Sequence, residues 1–432
     1  MTTITWTVEV DADPDTTGEF VIGSSLLGGS DVLSADERWV DVGPVVRQIS
    51  IRRGRRDESR FYSNGVCTVE LENVTEDFDT DNPYGHYVMG PEKLLHPGTG
   101  VRTIATVSGG GSATTFAGIL DKPKVIEDEF FPVAIFSCVD WMAALGTTDV
   151  PDLGFVQGAG ESSSARANWL LDLADVPTAQ RNVAASGRNV LGTTGGEKVR
   201  VGLERVAAGE GGRFYVDRTG DVTLTWHDAE YGKTADLLFT NIGTSFTEYA
   251  AIETSPGVEG VINTATVHRV APRLRNEETG QFVDSAVIPD VGAVDSGSVA
   301  LYGARPVAVE TVLESDSDAE SLANYLAVRR SVPTSRVTKL RLPPLEQLSV
   351  GDAEFVLLLD IGSAVAVRRR TLTGRDQTWL AIVEGIEIDA RPTRTDVTLM
   401  TAPADTASVF GSAGWFIIGT SLLGGADVLA PF

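Results

Sequence analysis

Val66 to Asn73 reads VCTVELEN, which places Cys67, Val69 and Leu71 on one side of an extended chain and Thr68, Glu70 and Glu72 on the other. Apolar residues recurring every second position on one face are the pattern of a half-buried β-strand. Working outward, similar runs lie at Gln48 to Arg52, Val101 to Val107, Thr114 to Leu120 and Val133 to Trp141. The SGGGS stretch from Ser108 to Ser112 supplies a hairpin turn between two of them. The spacing predicts a first β-domain, barrel or sandwich, over residues 1–146.

A composition shift follows, with DVPDLGFVQGAGESSS leading into a helix capped at one of Ser162 to Ser164. Trp169, Leu170 and Leu173 form its apolar face, and Val176-Pro177 ends it. Val199, Leu203 and Val206, spaced by four and three, predict a second helix over Gly196 to Ala208. RFYVD and DVTLTW then flank Arg218-Thr219-Gly220, a hairpin whose glycine can take the left-handed conformation. Residues 147–235 therefore read as a small α+β unit. Strand patterns resume at Phe246 to Ile252, Val258 to Val270, Arg336 to Leu342, Glu354 to Leu359, Leu380 to Ile388 and Asp396 to Met400. A helix near 316–331, capped at Asp316 or Ser317 with Leu322, Tyr325 and Leu326 on one side, interrupts them. Residues 236–400 read as a second β-domain with a helical insertion, and 401–432 as a C-terminal arm. The fold class is mainly β with a smaller α+β unit.

The chain has 432 residues, enough for two to four domains. No stretch approaches the ~20 consecutive apolar residues of a membrane-spanning helix. The first residues, MTTITWTVEVDADPD, lack a basic segment followed by an apolar one, so no secretory signal is expected. Sixty acidic against thirty-five basic residues give a net charge of −25, which opposes static binding to phosphate backbones. Two cysteines, Cys67 and Cys138, are too few for a disulfide scaffold and read as reduced core thiols. His86, His96, His227 and His268 have no ligand spacing, and no GxSxG elbow occurs. The run DFDTDNPYG from Asp77 begins like a calcium loop, but Asn82 replaces its glycine and Val88 its glutamate, so it reads as a turn. Gly109 to Gly111 lack the lysine of a phosphate loop. No catalytic residue, cofactor site or metal site is predicted, although acid pairs that meet only in space stay open.

Two features do point to partners. GEFVIGSSLLGGSDVL at Gly18 to Leu33 returns as GWFIIGTSLLGGADVL at Gly414 to Leu429. Phe20, Ile22, Leu26, Leu27 and Asp31 thereby match Phe416, Ile418, Leu422, Leu423 and Asp427. Each copy either closes its own β-domain as an edge strand and Gly-Gly turn, or docks as an arm on a partner's sheet edge. Against the acidic background stands a cluster of arginines, Arg47, Arg52, Arg53, Arg55, Arg56 and Arg60. It is either a solvated loop paired with Asp57 and Glu58 or a clamp on an acidic neighbouring subunit, and the overall acidity favours the subunit contact at Arg52, Arg53, Arg55, Arg56 and Arg60.

VGPVVRQISIRRGRRDESRFYSNGVCTVELENVTEDFD, the strands VRTIATV and TFAGILDKPKV, then RANWLLDLADVP, GEGGRFYVDRTGDVTLTW, VINTATVHRV, SDAESLANYLAVRRSVP, LSVGDAEF and VEGIEI form an ordered series over most of the chain. The series resembles the baseplate hub or minor tail proteins of long-tailed, siphovirus-type actinobacterial phages, in which the segment around Phe20 to Leu33 looks like an addition. The resemblance implies a fold similar to the hub of T-even phages, with two tube-like β-barrel domains per chain and a trimer that mimics a sixfold ring. It further implies a non-enzymatic structural role in the virion tail tip after assembly in the host bacterial cytoplasm, joining the hexameric tail tube to a threefold tip. The implied partners are further copies of the chain, the distal tail protein ring, the tape measure protein and a tail fibre or receptor-binding tip protein, with genomic DNA in transient passage. Three chains at −25 each carry −75, a charge that would keep DNA off a channel wall. The competing expectations are a tail-associated cell-wall-degrading enzyme, for which no spare domain-sized segment is left, and a direct host-receptor binder. Trp141, Trp169 and Trp226 sit in element-like patterns that suit a core better than an exposed aromatic platform.

Overall fold

The structure, a computed structural model, describes residues 2–11, 39–56, 61–79, 82, 84–85, 95–126, 132–185, 187–227, 233–241, 247–257, 260–275, 282–284 and 288–404. Both copies of the terminal repeat, Arg60, and Asp81 of the calcium-like run lie outside the described residues. The first stretch holds β1 (Ile4–Asp11), β2 (Trp39–Asp41), β3 (Val46–Gly54), β4 (Ser63–Glu72), β5 (Gly100–Val107), β6 (Ser112–Ile126) and β7 (Val133–Val139). The next holds α1 (Trp141–Thr147), β8 (Glu161–Ser162), α2 (Ser163–Leu173), β9 (Arg181–Val183), β10 (Asn189–Val190), α3 (Val199–Gly209), β11 (Arg213–Val216) and β12 (Val222–Thr225). Then come β13 (Leu237–Thr240), β14 (Thr247–Glu248), β15 (Ala251–Ser255), β16 (Thr264–Arg269), β17 (Arg273–Arg275), β18 (Phe282–Asp284), β19 (Val291–Val294), α4 (Ser296–Tyr302), β20 (Pro306–Thr311) and α5 (Asp316–Arg329). The chain closes with β21 (Arg336–Arg341), α6 (Val350–Leu358), β22 (Ala364–Arg370), β23 (Asp376–Arg391) and β24 (Arg394–Pro403).

The architecture is mainly β, as the alternating runs require. Fourteen of the described strands form one sheet in the order β14-β13-β22-β23-β3-β4-β7-β6-β5-β1-β2, with β24, β21 and β15 branching from β23. Among the described residues no barrel closes. Strands from the first and third stretches meet at β3 and β23, where Ile51 lies opposite Ile388. Their inward residues share one core that includes Ile49, Val69, Phe136, Leu340, Ile388 and Leu399. A second core, with Leu170, Leu203, Phe214 and Leu224, holds the α+β unit, and a third packs Leu322, Ala323 and Tyr325 of α5 near Val267 of β16.

Several local expectations change. Glu354 to Leu358 belongs to a helix, not a strand, and Leu359 follows its end: the Ser349 hydroxyl caps the amide of Asp352, and Ala353, Val356 and Leu357 are buried at helical spacing. Trp141 opens α1 rather than ending a strand, because the Asp140 carboxylate accepts from the amide of Met142 and starts the helix. α2 ends at Leu173, before Val176-Pro177. β1 and β22 have no counterpart among the expected runs.

The sheet contains one strand order twice. In the first set β3 pairs with β4, β4 with β7, β7 with β6 and β6 with β5. In the second β15 pairs with β21, β21 with β24, β24 with β23 and β23 with β22, and all eight pairings are antiparallel. Each long strand is bulged two residues beyond its last pair with the shorter partner. In β6 the last such pair is Ile119 with Gly100 and the bulge falls at Asp121. In β23 it is Ile382 with Ala364 and the bulge falls at Glu384. Gly54, which ends β3, and Gly257, just past β15, match as well, with φ of +85° and +86°. A Cβ there would lie 2.3 Å from the Glu384 carbonyl oxygen and 2.2 Å from that of Thr334, so both places need glycine.

Candidate functional site

The most developed polar constellation sits where the two strand sets join and the α+β unit rests on them. A β-bulge re-aims one side chain, and at Glu384 it turns a carboxylate into the interior, where the residue is 2% exposed. Arg55 Nε donates to Glu384 Oε2 at 2.9 Å and Arg213 Nη2, on β11, donates to Oε1 at 3.0 Å. The Tyr62 hydroxyl donates to Oε2, and the Arg55 guanidinium lies 4.5 Å from the Tyr62 ring centre. Burial opposes the charge, but Arg213 and Arg55 outweigh it and hold the Glu384 carboxyl down at about 2. Burial and then the Glu384 charge push the Tyr62 hydroxyl well up, so it stays a donor.

Beside this pair lies a second. Arg53 Nη1 donates to Asp360 Oδ1 at 2.6 Å, and Asp360 Oδ2 accepts from the Arg218 amide at 2.8 Å. Arg218 Nη1 also reaches the Thr114 carbonyl at 3.1 Å, so the turn between β11 and β12 touches β6 of the first set and the loop that leads into β22 of the second. A third anchor is Asp140, which takes the Met142 amide on Oδ1 at 3.0 Å and the Gly65 amide on Oδ2 at 2.7 Å. Burial raises its carboxyl to about 7, against the two amides and against Arg53 and Arg200. Gly65 leaves room for this carboxyl, since a Cβ there would stand 2.4 Å from Asp140 Oδ2 and displace it. Arg200 of α3 completes the seam by donating to the Tyr62 carbonyl at 2.6 Å and to Asn64 Oδ1 at 2.8 Å.

The arginines singled out from sequence thus divide. Arg53 and Arg55 are drawn into the joint with Asp360 and Glu384, and Arg56 reaches Glu387 Oε1 at 3.0 Å. Arg47 Nη2 lies 3.4 Å from Glu72 Oε1, and Arg52 points outward, exposed. The joint's acids and its Arg213 and Tyr62 were not singled out from sequence. A signal existed for Glu384: in IVEGIEI the apolar alternation slips by one residue at Glu384-Gly385, which is how a bulge reads in sequence.

Among the described residues no group of three or more His, Cys, Asp or Glu could hold a metal ion. Cys67 and Cys138 face each other across β4 and β7 as buried free thiols, and burial raises both thiols above their ordinary range. No described helix is long and apolar enough to cross a membrane.

No protein-family model matches the sequence, and no curated protein matches it. Solved structures do. The tail protein from Neisseria meningitidis MC58 superposes with a TM-score of 0.55 at 11% identity, covering 92% of this chain and 96% of that one. The 43 kDa tail protein of prophage MuSo2 from Shewanella oneidensis gives 0.55 at 12% identity, covering 94% of this chain and 99% of that one. The fold is that of phage tail proteins, matched over nearly the full length of both.

Proposed function

We propose that the chain is a structural component of a phage tail, a hub at the tail tip that assembles as a homotrimer. The observation that carries this reading is the strand order present twice and joined edge to edge within one chain. A chain built so supplies two similar positions to a ring, and three copies supply six, which lets a threefold assembly meet a sixfold tube. In this reading each strand set belongs to one tube-like barrel completed in the ring. The distal tail ring lies above, the tape measure protein inside and a fibre or receptor-binding protein below. The net charge of −25 per chain, where it lines the lumen, keeps DNA from sticking as it passes.

The role assigned is non-catalytic. Light scattering on the purified chain over a range of concentrations tests it. Three chains of 45.9 kDa give about 138 kDa, and a strict monomer that also fails to join isolated tails would sink the reading. A lytic band in a zymogram on host cell walls would move the assignment to an enzyme.

A further inference from the structure

The two strand sets differ in one respect that the duplication makes conspicuous. In the first set β3 has both edges filled, by β4 and by the second half of β23. Its counterpart β15 pairs, among the described residues, with β21 only. The second half of β23 has β24 on one edge and β3 on the other. Its counterpart, Asp121 to Ile126 of β6, has β7 on one edge and no described strand on the other, since β5 pairs no further than Ile119. Among the described residues, one chain therefore contains one completed junction, β3 on β23, and both halves of a second.

We infer that the free edge of β15 in one copy of the chain pairs antiparallel with the free half of β6 in the next, repeating between chains the junction that β3 and β23 make within one. This deepens the ring reading and rests on it for the number of copies. The register follows from the duplication. Gly54 lies opposite Gly385, Arg52 opposite Glu387 and Ser50 opposite Asp389. Carrying Gly54 to Gly257 and the Glu384 bulge to the Asp121 bulge puts Gly257 opposite Lys122, Ser255 opposite Lys124, Thr254 opposite Val125 and Glu253 opposite Ile126.

The open edges also show why the second junction stays open in a single chain. The Arg55 amide donates to the Glu384 carbonyl at 2.8 Å, which fixes Arg53 with Ile386 and Ile51 with Ile388 as the hydrogen-bonded pairs of the inner junction. At the outer junction the first of these becomes Pro256 with Pro123, neither of which has an amide to donate. Lys122 and Lys124 flank Pro123 on an exposed edge, and lysine and proline are the residues that discourage casual strand pairing. The outer junction is therefore the weaker one, centred on Thr254 with Val125, and it forms when copies are held together in register.

Ile126→Cys and Glu253→Cys, each in the full chain, form a test, since the two positions make a non-hydrogen-bonded pair with Cα atoms ~4.5 Å apart, within disulfide reach. The expected result is a disulfide-linked dimer on mixing the two variants at high concentration, at least tenfold more than from either alone or from Val125→Cys mixed with Glu253→Cys. An oligomer by light scattering without that register-specific cross-link overturns the junction and leaves the tail reading standing. A chain that neither cross-links nor oligomerises overturns both, and a cross-link that ignores register shows an edge that is only guarded.

Discussion

Asp121 and Glu384 occupy the same bulge in two strands arranged alike, yet their surroundings are opposite. The Asp121 side chain is 47% exposed with Lys122 3.8 Å away, while Glu384 is buried under Arg55, Arg213 and Tyr62. The backbone solution is therefore common to both strand sets, and the charge placed on it depends on what covers the edge. Where β3 and the α+β unit cover the bulge, the carboxylate becomes a fastener. Where nothing described covers it, the carboxylate is solvated.

The sharpest way to break this comparison is to remove both acids in turn. Glu384→Ala leaves Arg213 and Arg55 buried without their counter-charge and should cost roughly 3–5 kcal/mol in urea unfolding, whereas Asp121→Ala should stay within about 0.5 kcal/mol. Equal effects would show that the bulges are not differently used.

Nearly as large an effect is expected from pH, because the first set has a buried acid that the second lacks: the place of Asp140 after β7 falls to Pro403 at the end of β24. The Asp140 carboxyl is raised from 3.8 to about 7. Its folded form binds the proton more tightly, so the contribution is full below pH 4 and is lost as pH rises towards 7, on the order of 4 kcal/mol. Glu384 runs the other way, since its carboxyl is lowered from 4.5 to about 2 and its contribution is lost as pH falls through that window. Asp140→Asn should flatten the decline between pH 4 and 7 in thermal unfolding and leave the acid limb in place.

Gly54→Ala and Gly257→Ala test whether the duplication extends to backbone strain. Both should cost roughly 1–3 kcal/mol, while Gly109→Ala, where a Cβ meets nothing within 4 Å, should cost about 1 kcal/mol or less. The smallest effect belongs to Arg56→Ala, whose side chain is exposed enough that losing its pair with Glu387 should not cost more than about 1 kcal/mol in the same unfolding assay.

The alternation in VCTVELEN and its relatives was enough to find β3 to β7, because each of these strands buries one face and leaves the other to solvent or charge. It misread Glu354 to Leu359, since six residues with five consecutive apolar ones fit a buried strand and a helix alike, and the deciding signal was Ser349 as cap. The arginine cluster was read from sequence as a contact on a neighbouring subunit, and three of its members pair within the chain. Its true acceptors for Arg53 and Arg55 lie 307 and 329 residues away, at a distance no local pattern reports. The duplicated strand order was equally hidden, because aligned segments agree over only short stretches: Val69 to Leu71 and Leu340 to Leu342 both run buried, open, buried, while the residues before them fall out of step.

That separation has a consequence for how the chain is made. With 329 residues between Arg55 and Glu384, a ribosome adding ~5–20 residues per second leaves β3 without its outer neighbour for roughly 16–65 s. During that interval β3 is an open edge on a nascent polypeptide, and four arginines stand along and just after its last turn of pleat. Charges of one sign on an open edge repel a second nascent chain. The residues that finally fasten the joint thus act earlier as its guards during synthesis, until Asp360, Glu384 and Glu387 emerge to pair with Arg53, Arg55 and Arg56.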